Sequence, residues 1–173
     1  MPTIYEKCDD ESPQQKTIKA MMHKYHVDLE KAGVTIECIL ATNAEGKAPL
    51  KLHGWPCYAT IKVMSYEDRV AGSADARMMI DLDKWGDLHE NERNALVDHE
   101  LEHLELILNR KTNRHKTDDL NRPRLRLKPH DYELTGFNSV VRRHEDASIE
   151  VRNFIRFATC EDGQMVMDFS KVG

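Results

Sequence analysis

The segment from Glu90 to Asn109 restricts the fold of this chain more than any other. Leu96 or Val97, Leu101, Leu104 and Leu108 recur at intervals of three and four, and Glu90 and Glu92 make the first turn acidic. That period predicts an amphipathic helix from about Glu90 to Asn109. At its centre runs Asp98-His99-Glu100-Leu101-Glu102-His103. Residues four apart stand one turn above each other, so the imidazoles of His99 and His103 leave one face about 6 Å apart and can grip a single metal ion. Glu100 is rotated about 100° from His99, which sets its carboxylate beside such an ion without binding it.

Zinc in a catalytic site takes three protein ligands and keeps one position open, and water there loses its proton near pH 7. Glu100 would orient and deprotonate that water as general base, then pass the proton to a leaving amine. The competing reading is two surface histidines on a solvated helix, since nine histidines give the pattern some chance of arising without a metal. The central placement of the motif, on a helix whose leucines face elsewhere, favours the metal. A third donor has to come from downstream. His115 stands between Arg114 and Lys116, where positive charge disfavours another cation. His130 follows Pro129 at a strand-to-helix junction, Glu133 lies one helical turn beyond it, and His144 is more distant. His130 is favoured; Glu133 stays a rival.

The rest of the chain reads as a mixture of helices and strands. Ser12-Pro13 with Gln15 has the form of a capped helix start, with Gln15 positioned to cap in return, and Ile18, Met21, Met22, Tyr25 and Leu29 carry the helical period up to Gly33. Strands are expected at Val34–Leu40, Tyr58–Met64 and Ala76–Leu82, a turn at Asn43–Gly46, and a short strand at Arg124–Lys128. Ala76–Leu82 could form the sheet edge along a cleft, where an extended peptide adds as another strand. A loop is expected over 110–121. Pro129 opens a helix-like region that breaks at Gly136 and resumes through Val141, with a last helix over Ile149–Ala158 and a weak strand at Met165–Phe169. Met21-Met22 and Met78-Met79 read as core, and His23, His26, His53 and His89 as structural or surface residues.

With 173 residues, 40% of them hydrophobic and 32% charged, the chain suits one soluble domain spanning 1–173, with residues 1–11 expected to be flexible. No apolar stretch approaches the roughly 20 residues that cross a bilayer, so no membrane partner is expected. Cys8, Cys38, Cys57 and Cys160 are scattered without a Cys-x-x-Cys pair and read as reduced thiols. The acidic start of the chain lacks the layout of a secretion signal, and a cytoplasmic location is the expectation. A net charge of −5 argues against a general nucleic-acid binder, although Arg122, Arg124, Arg126 and Lys128, with Arg142 and Arg143, could form a local strip for nucleic acid.

Several blocks together resemble the phage metallopeptidases: Ala74 to Asp81 with Trp85, Ala95 to Leu104 around the histidine motif, Arg122 to Asp131, and Phe137 with Val140 to His144. Upstream, His26 with Leu29, Ile36, His53-Gly54, Ile61-Lys62 and Asp68-Arg69 fit the same pattern, so the resemblance runs from about residue 20 to 155. It implies a small zincin-like α+β domain, distantly similar to SprT-like proteases, with a short mixed, mostly antiparallel sheet packed on the motif helix. It also implies Zn2+ as cofactor, His99, His103 and His130 as metal ligands, Glu100 as base and Asp131 as a carboxylate orienting a histidine. Residues 109–119 depart from the resemblance as a longer and more basic loop. The expectation is therefore a zinc metalloendopeptidase acting on a peptide or protein substrate, in the host cytosol if phage-encoded. The alternatives are a nucleic-acid- or protein-binding module with a structural metal and no significant turnover, and a zinc hydrolase of a non-peptide bond.

Overall fold

Two β-branched and apolar segments, Ile36–Thr42 and Ala76–Asp81, lie side by side in parallel and form the centre of the sheet. The structure is a computed structural model that describes residues 2–52, 54–130, 137–149 and 151–152. In chain order its elements are strand β1 (Ile4–Lys7), helices α1 (Pro13–Tyr25) and α2 (Val27–Lys31), strands β2 (Ile36–Thr42), β3 (Lys51–Leu52), β4 (Trp55–Pro56) and β5 (Ala59–Val63), and helix α3 (Tyr66–Val70). Strand β6 (Ala76–Asp81), helices α4 (Leu82–Asp87) and α5 (Glu90–Glu102), strands β7 (Leu104–Leu106) and β8 (Leu125–Leu127), helix α6 (Asn138–His144) and a 3-10 turn (Glu145–Ala147) follow. The main sheet has the order β1-β2-β6-β5, with both outer pairs antiparallel. This is an α+β architecture with a mixed four-stranded sheet and, among the described residues, six helices.

The core explains the arrangement. Ile36, Cys38, Ile61, Met78 and Ile80 from the sheet share one apolar cluster with Ile18, Met21 and Leu29 from α1 and α2 and with Leu96, Val97 and Leu101 from α5. Burial of these side chains, roughly 1.5–3 kcal/mol each, is what fixes α5 against sheet and α1. Local signals set the ends. Ser12 caps α1, its hydroxyl accepting from the Gln15 amide at 3.2 Å. The Gln15 side chain does not return to the cap; its Nε2 donates to the Ile36 carbonyl at 2.9 Å and ties α1 to β2. The long first helix expected from the periodicity divides at His26, where the backbone leaves the helical region, and Gly33 closes α2 with φ 76°.

Three expectations change. Ala76–Asp81 is not an edge, because β2 and β5 flank it on both sides; its buried alternate residues suit a central strand, and the outer strands are β1 and β5. The helix expected to reach Asn109 stops at Glu102, where Leu104–Leu106 turn instead into pairing with β8. The leucine spacing of three and four served a helix and then a strand. The start of the chain, expected to be loose, contributes β1, whose exposed residues pair with β2 through backbone bonds that carry no apolar signature. The strand expected at Met165–Phe169 and most of the last helix lie outside the described residues; Arg152 donates to the Ser148 carbonyl, as a helix beginning there would.

The basic segment at 122–128 is built into the fold. Arg122 donates to Asp75 Oδ1 at 2.9 Å and to the Ser73 carbonyl, Arg126 to Glu105 at 2.7 Å, and Lys128 to Glu102 at 3.1 Å. Asp75, 1% exposed, also accepts from the amide and hydroxyl of Thr35, both at 2.8 Å, and faces Arg69 at 3.5 Å. Three of the four cations in the strip thus answer carboxylates of the chain itself. Removing one partner of such a buried group leaves the others uncompensated. Asp75→Ala is therefore expected to lose about 3–5 kcal/mol of stability, read as a lower urea midpoint with the slope unchanged.

Candidate metal centre

Helix α5 begins with Glu92 reaching back to the His89 amide at 2.8 Å, and Arg93 clasps the end of α4 through the Trp85 carbonyl. Ala95, Leu96, Val97 and Leu101 face the core. The remaining positions of the helix carry the polar groups that matter, and they point in different directions.

Asp98 points toward α1 and α6. It is fully buried and accepts four hydrogen bonds: His26 Nε2 at 2.7 Å and Arg143 Nη2 at 2.8 Å on one oxygen, Arg143 Nε at 2.8 Å and His144 Nε2 at 2.7 Å on the other. Burial alone would raise its pKa, but the bonds from His26 and Arg143 and the Arg143 charge outweigh it and hold the carboxyl at about 2. Glu102, one turn on, meets Lys128 at 3.1 Å and Arg143 at 3.4 Å. Burial pushes its carboxyl up as well, and hydrogen bonds from Lys128 and Ser139 bring it below the ordinary range. His26, read from sequence as structural or surface, and His144, a distant rival for the metal, both serve Asp98.

Rotated by about 100–140° from Asp98 stand His99 and His103, and His130 joins them. Their candidate ligand atoms all lie within 4.8 Å of one another, and His99 Nε2 is 3.2 Å from His130 Nε2. Donors on a tetrahedral ion at about 2.0–2.1 Å stand about 3.3 Å apart, so the spacing suits one small cation. His103 is the residue that caps α5, and it is held twice: its carbonyl accepts from the Lys128 amide at 2.7 Å and its Nδ1 donates to the Lys128 carbonyl at 2.8 Å. A carbonyl only accepts, so that bond assigns the proton to Nδ1 and leaves Nε2 as the metal-competent nitrogen of the neutral ring. Burial drives the His103 pKa down to about 4, against the pull of the Lys128 carbonyl and with help from the neighbouring histidines. At neutral pH the ring is uncharged, as a ligand must be.

Phe137 supplies the common floor. Fully buried, its ring centroid is 5.1 Å from His99, 4.6 Å from His103 and 5.1 Å from His130, and the Lys128 ammonium sits 5.1 Å from it. Sequence reading assigned Phe137 no role, because an aromatic seven residues past His130 carries no periodic signal of what it will touch. Glu100 is buried beside the histidines in sequence, and its charge, after burial itself, helps to raise the Cys57 thiol to about 11. Asp81, at the end of β6, adds to the same effect on Cys57, which stands just ahead of β5. His115 is exposed in a hairpin, bridged to Leu108, and is outside the cluster. His53, Asp131, Glu133 and Cys160 lie outside the described residues.

A family model described as "Putative phage metallopeptidase" matches residues 8–159, most of the chain. The chain belongs to that family. No curated protein and no solved structure matches it. Membership in a phage metallopeptidase family implies a metal ion and a peptide or protein substrate, and the three histidines form a group that could hold such an ion. No helix among the described residues is long and apolar enough to cross a membrane.

The Asp98 anchor makes its own forecast. In metal-free protein, Asp98→Ala is expected to lower unfolding free energy by about 3–5 kcal/mol, because it leaves Arg143 and two histidines around an empty buried position. Denaturation in the presence of a chelator measures this without interference from metal binding.

Proposed function

We propose that this phage metallopeptidase is a zinc-dependent endopeptidase, in which His99, His103 and His130 hold the ion and Glu100 is the general base. The convergence of three imidazole donors within 4.8 Å carries this reading. Closed structural zinc sites use four protein ligands, whereas the three donors found among the described residues leave room for chemistry. Nitrogen donors suit zinc among the common divalent ions, and the hydrogen bond that orients His103 is of the kind that tunes a ligand.

Zinc bound there would acidify a water molecule and polarise the peptide carbonyl. Glu100, on the same helix as two of the ligands, accepts a proton from the attacking water on its carboxylate and delivers it to the amide nitrogen as the carbon–nitrogen bond breaks. Burial of Glu100 keeps bulk water from competing for that proton. The outer edge of β5 is the place for an extended peptide to add by backbone pairing, since β5 ends the sheet and is an outer strand that packs against α5. That moves the peptide-binding edge from β6, where the sequence put it, to β5.

Purified protein should carry about one zinc ion per chain, and His103→Ala should lose it. Glu100→Gln should keep the metal while hydrolysis of casein or a mixed peptide pool falls about 100-fold or more. Full activity in Glu100→Gln, or full zinc occupancy in His103→Ala, would reject the assignment.

A further inference from the structure

The arm between β7 and β8 ends in a built ribbon. Leu108 bridges His115 antiparallel, the Lys116 amide donates to the Ile107 carbonyl at 2.7 Å, and the Arg124 amide donates to the Lys116 carbonyl at 2.8 Å. Its tip is closed by the Asn109 amide on the Arg114 carbonyl and the Asn113 amide on the Asn109 carbonyl, both 2.8 Å. Asn113 takes φ 53°, a left-handed conformation that asparagine tolerates. The long basic loop of the sequence is therefore a hairpin with defined ends.

The charges on this arm divide by position. Near the body of the protein, Arg122, Arg126 and Lys128 each meet a carboxylate. At and beside the tip, Arg110, Lys111, Arg114, Lys116 and Arg124 are all exposed, and among the described residues none has a carboxylate within ion-pair distance. Arg110, Lys111, Lys116 and Arg126 line one concave surface of about 750 Å³, whose single acidic residue, Glu105, is already engaged by Arg126. Four cations gathered on seven residues of a chain with net charge −5 form a strongly one-sided field.

We propose that the hairpin tip Arg110–Lys116 binds the phosphate backbone of nucleic acid. Every residue from Asn109 to Thr117 is polar: asparagine, arginine, lysine, threonine and histidine. These are the side chains that contact phosphates. Leu106, Ile107 and the exposed Leu108 line the same concave surface, but the tip beyond them, Asn109 to Thr117, presents only polar and cationic side chains, which favour phosphates over the apolar-centred surface of a protein partner. A two-stranded ribbon also has the width that the major groove of a duplex, about 12 Å, admits. The partner differs from the strip expected from sequence in its residues, since that strip is largely neutralised by the protein's own carboxylates. Nothing in this assignment depends on hydrolysis at the histidine cluster.

Fluorescence anisotropy of the full chain with a labelled DNA duplex of about 20 base pairs, and with DNA and RNA single strands of similar length, tests it. Four phosphate contacts predict a log–log salt slope near −3.6 on the duplex, or a loss of about 100-fold between roughly 50 and 200 mM salt. R110A/K111A/R114A/K116A should bind at least about 10-fold more weakly at the lower salt and flatten the slope, with an unchanged melting temperature because the four side chains are exposed. The ranking of the three nucleic acids identifies which form is preferred. The proposal is overturned if none of them binds at about 50 mM salt, or if the quadruple variant binds as the parent does. It is also overturned if polyglutamate displaces the label as well as unlabelled duplex, which would assign the tip to acidic proteins.

Discussion

The buried carboxylate of Asp98 is the constraint on which the candidate site rests. An isolated helix of thirteen residues such as α5 is marginal in water, so tertiary contacts must hold it. Leu96, Val97 and Leu101 press it onto the core, but apolar packing tolerates small rotations. Four charge-assisted hydrogen bonds on Asp98 do not. Burying a carboxylate is costly unless every lone pair is answered, and here the answers come from His26 at the α1–α2 junction and from Arg143 and His144 at the end of α6. Since His99 and Glu100 follow Asp98 at about 100° per residue, anchoring Asp98 sets where both of them point.

A second tie brings the third histidine in. The helix ends at Glu102, and His103 exchanges backbone and side-chain hydrogen bonds with Lys128, continuing the pairing of β7 with β8. A strand pair therefore turns a gap of twenty-seven residues between His103 and His130 into a short distance. Pro129 and the Phe137 ring then limit where the His130 imidazole can lie. The anchor acts through the helix and the strand pair through His103, while the aromatic floor lies against all three histidines; that kind of preorganisation keeps a metal site in one geometry.

Electrostatics sorts the basic residues of the arm into two groups. Those near the sheet and α5 neutralise Asp75, Glu102 and Glu105, and they belong to stability. Those at the tip have no such partners within the described residues and face solvent, in a protein that is otherwise acidic. Sequence showed one basic region with no division inside it, because a run of cations looks alike whether or not carboxylates distant in the chain fold against it.

The sequence by itself determined the α+β character, the strands β2, β5 and β6, the capped start of α1 and the motif on α5, since period, capping and turn chemistry are local properties. It also named His99, Glu100, His103 and His130 from spacing and from their surroundings in the chain. Only the tertiary structure decided the rest: the order of the strands, which makes β5 and not β6 the edge; the end of α5 at Glu102; and the role of Phe137. The pairing of His26 and His144 with Asp98 across seventy-two and forty-six residues belongs there too. The physical reason is common to all of them. Which edge stays open, which leucine turns from helix to strand and which carboxylate a cation meets are outcomes of long-range packing and desolvation, and no local window of residues contains those terms.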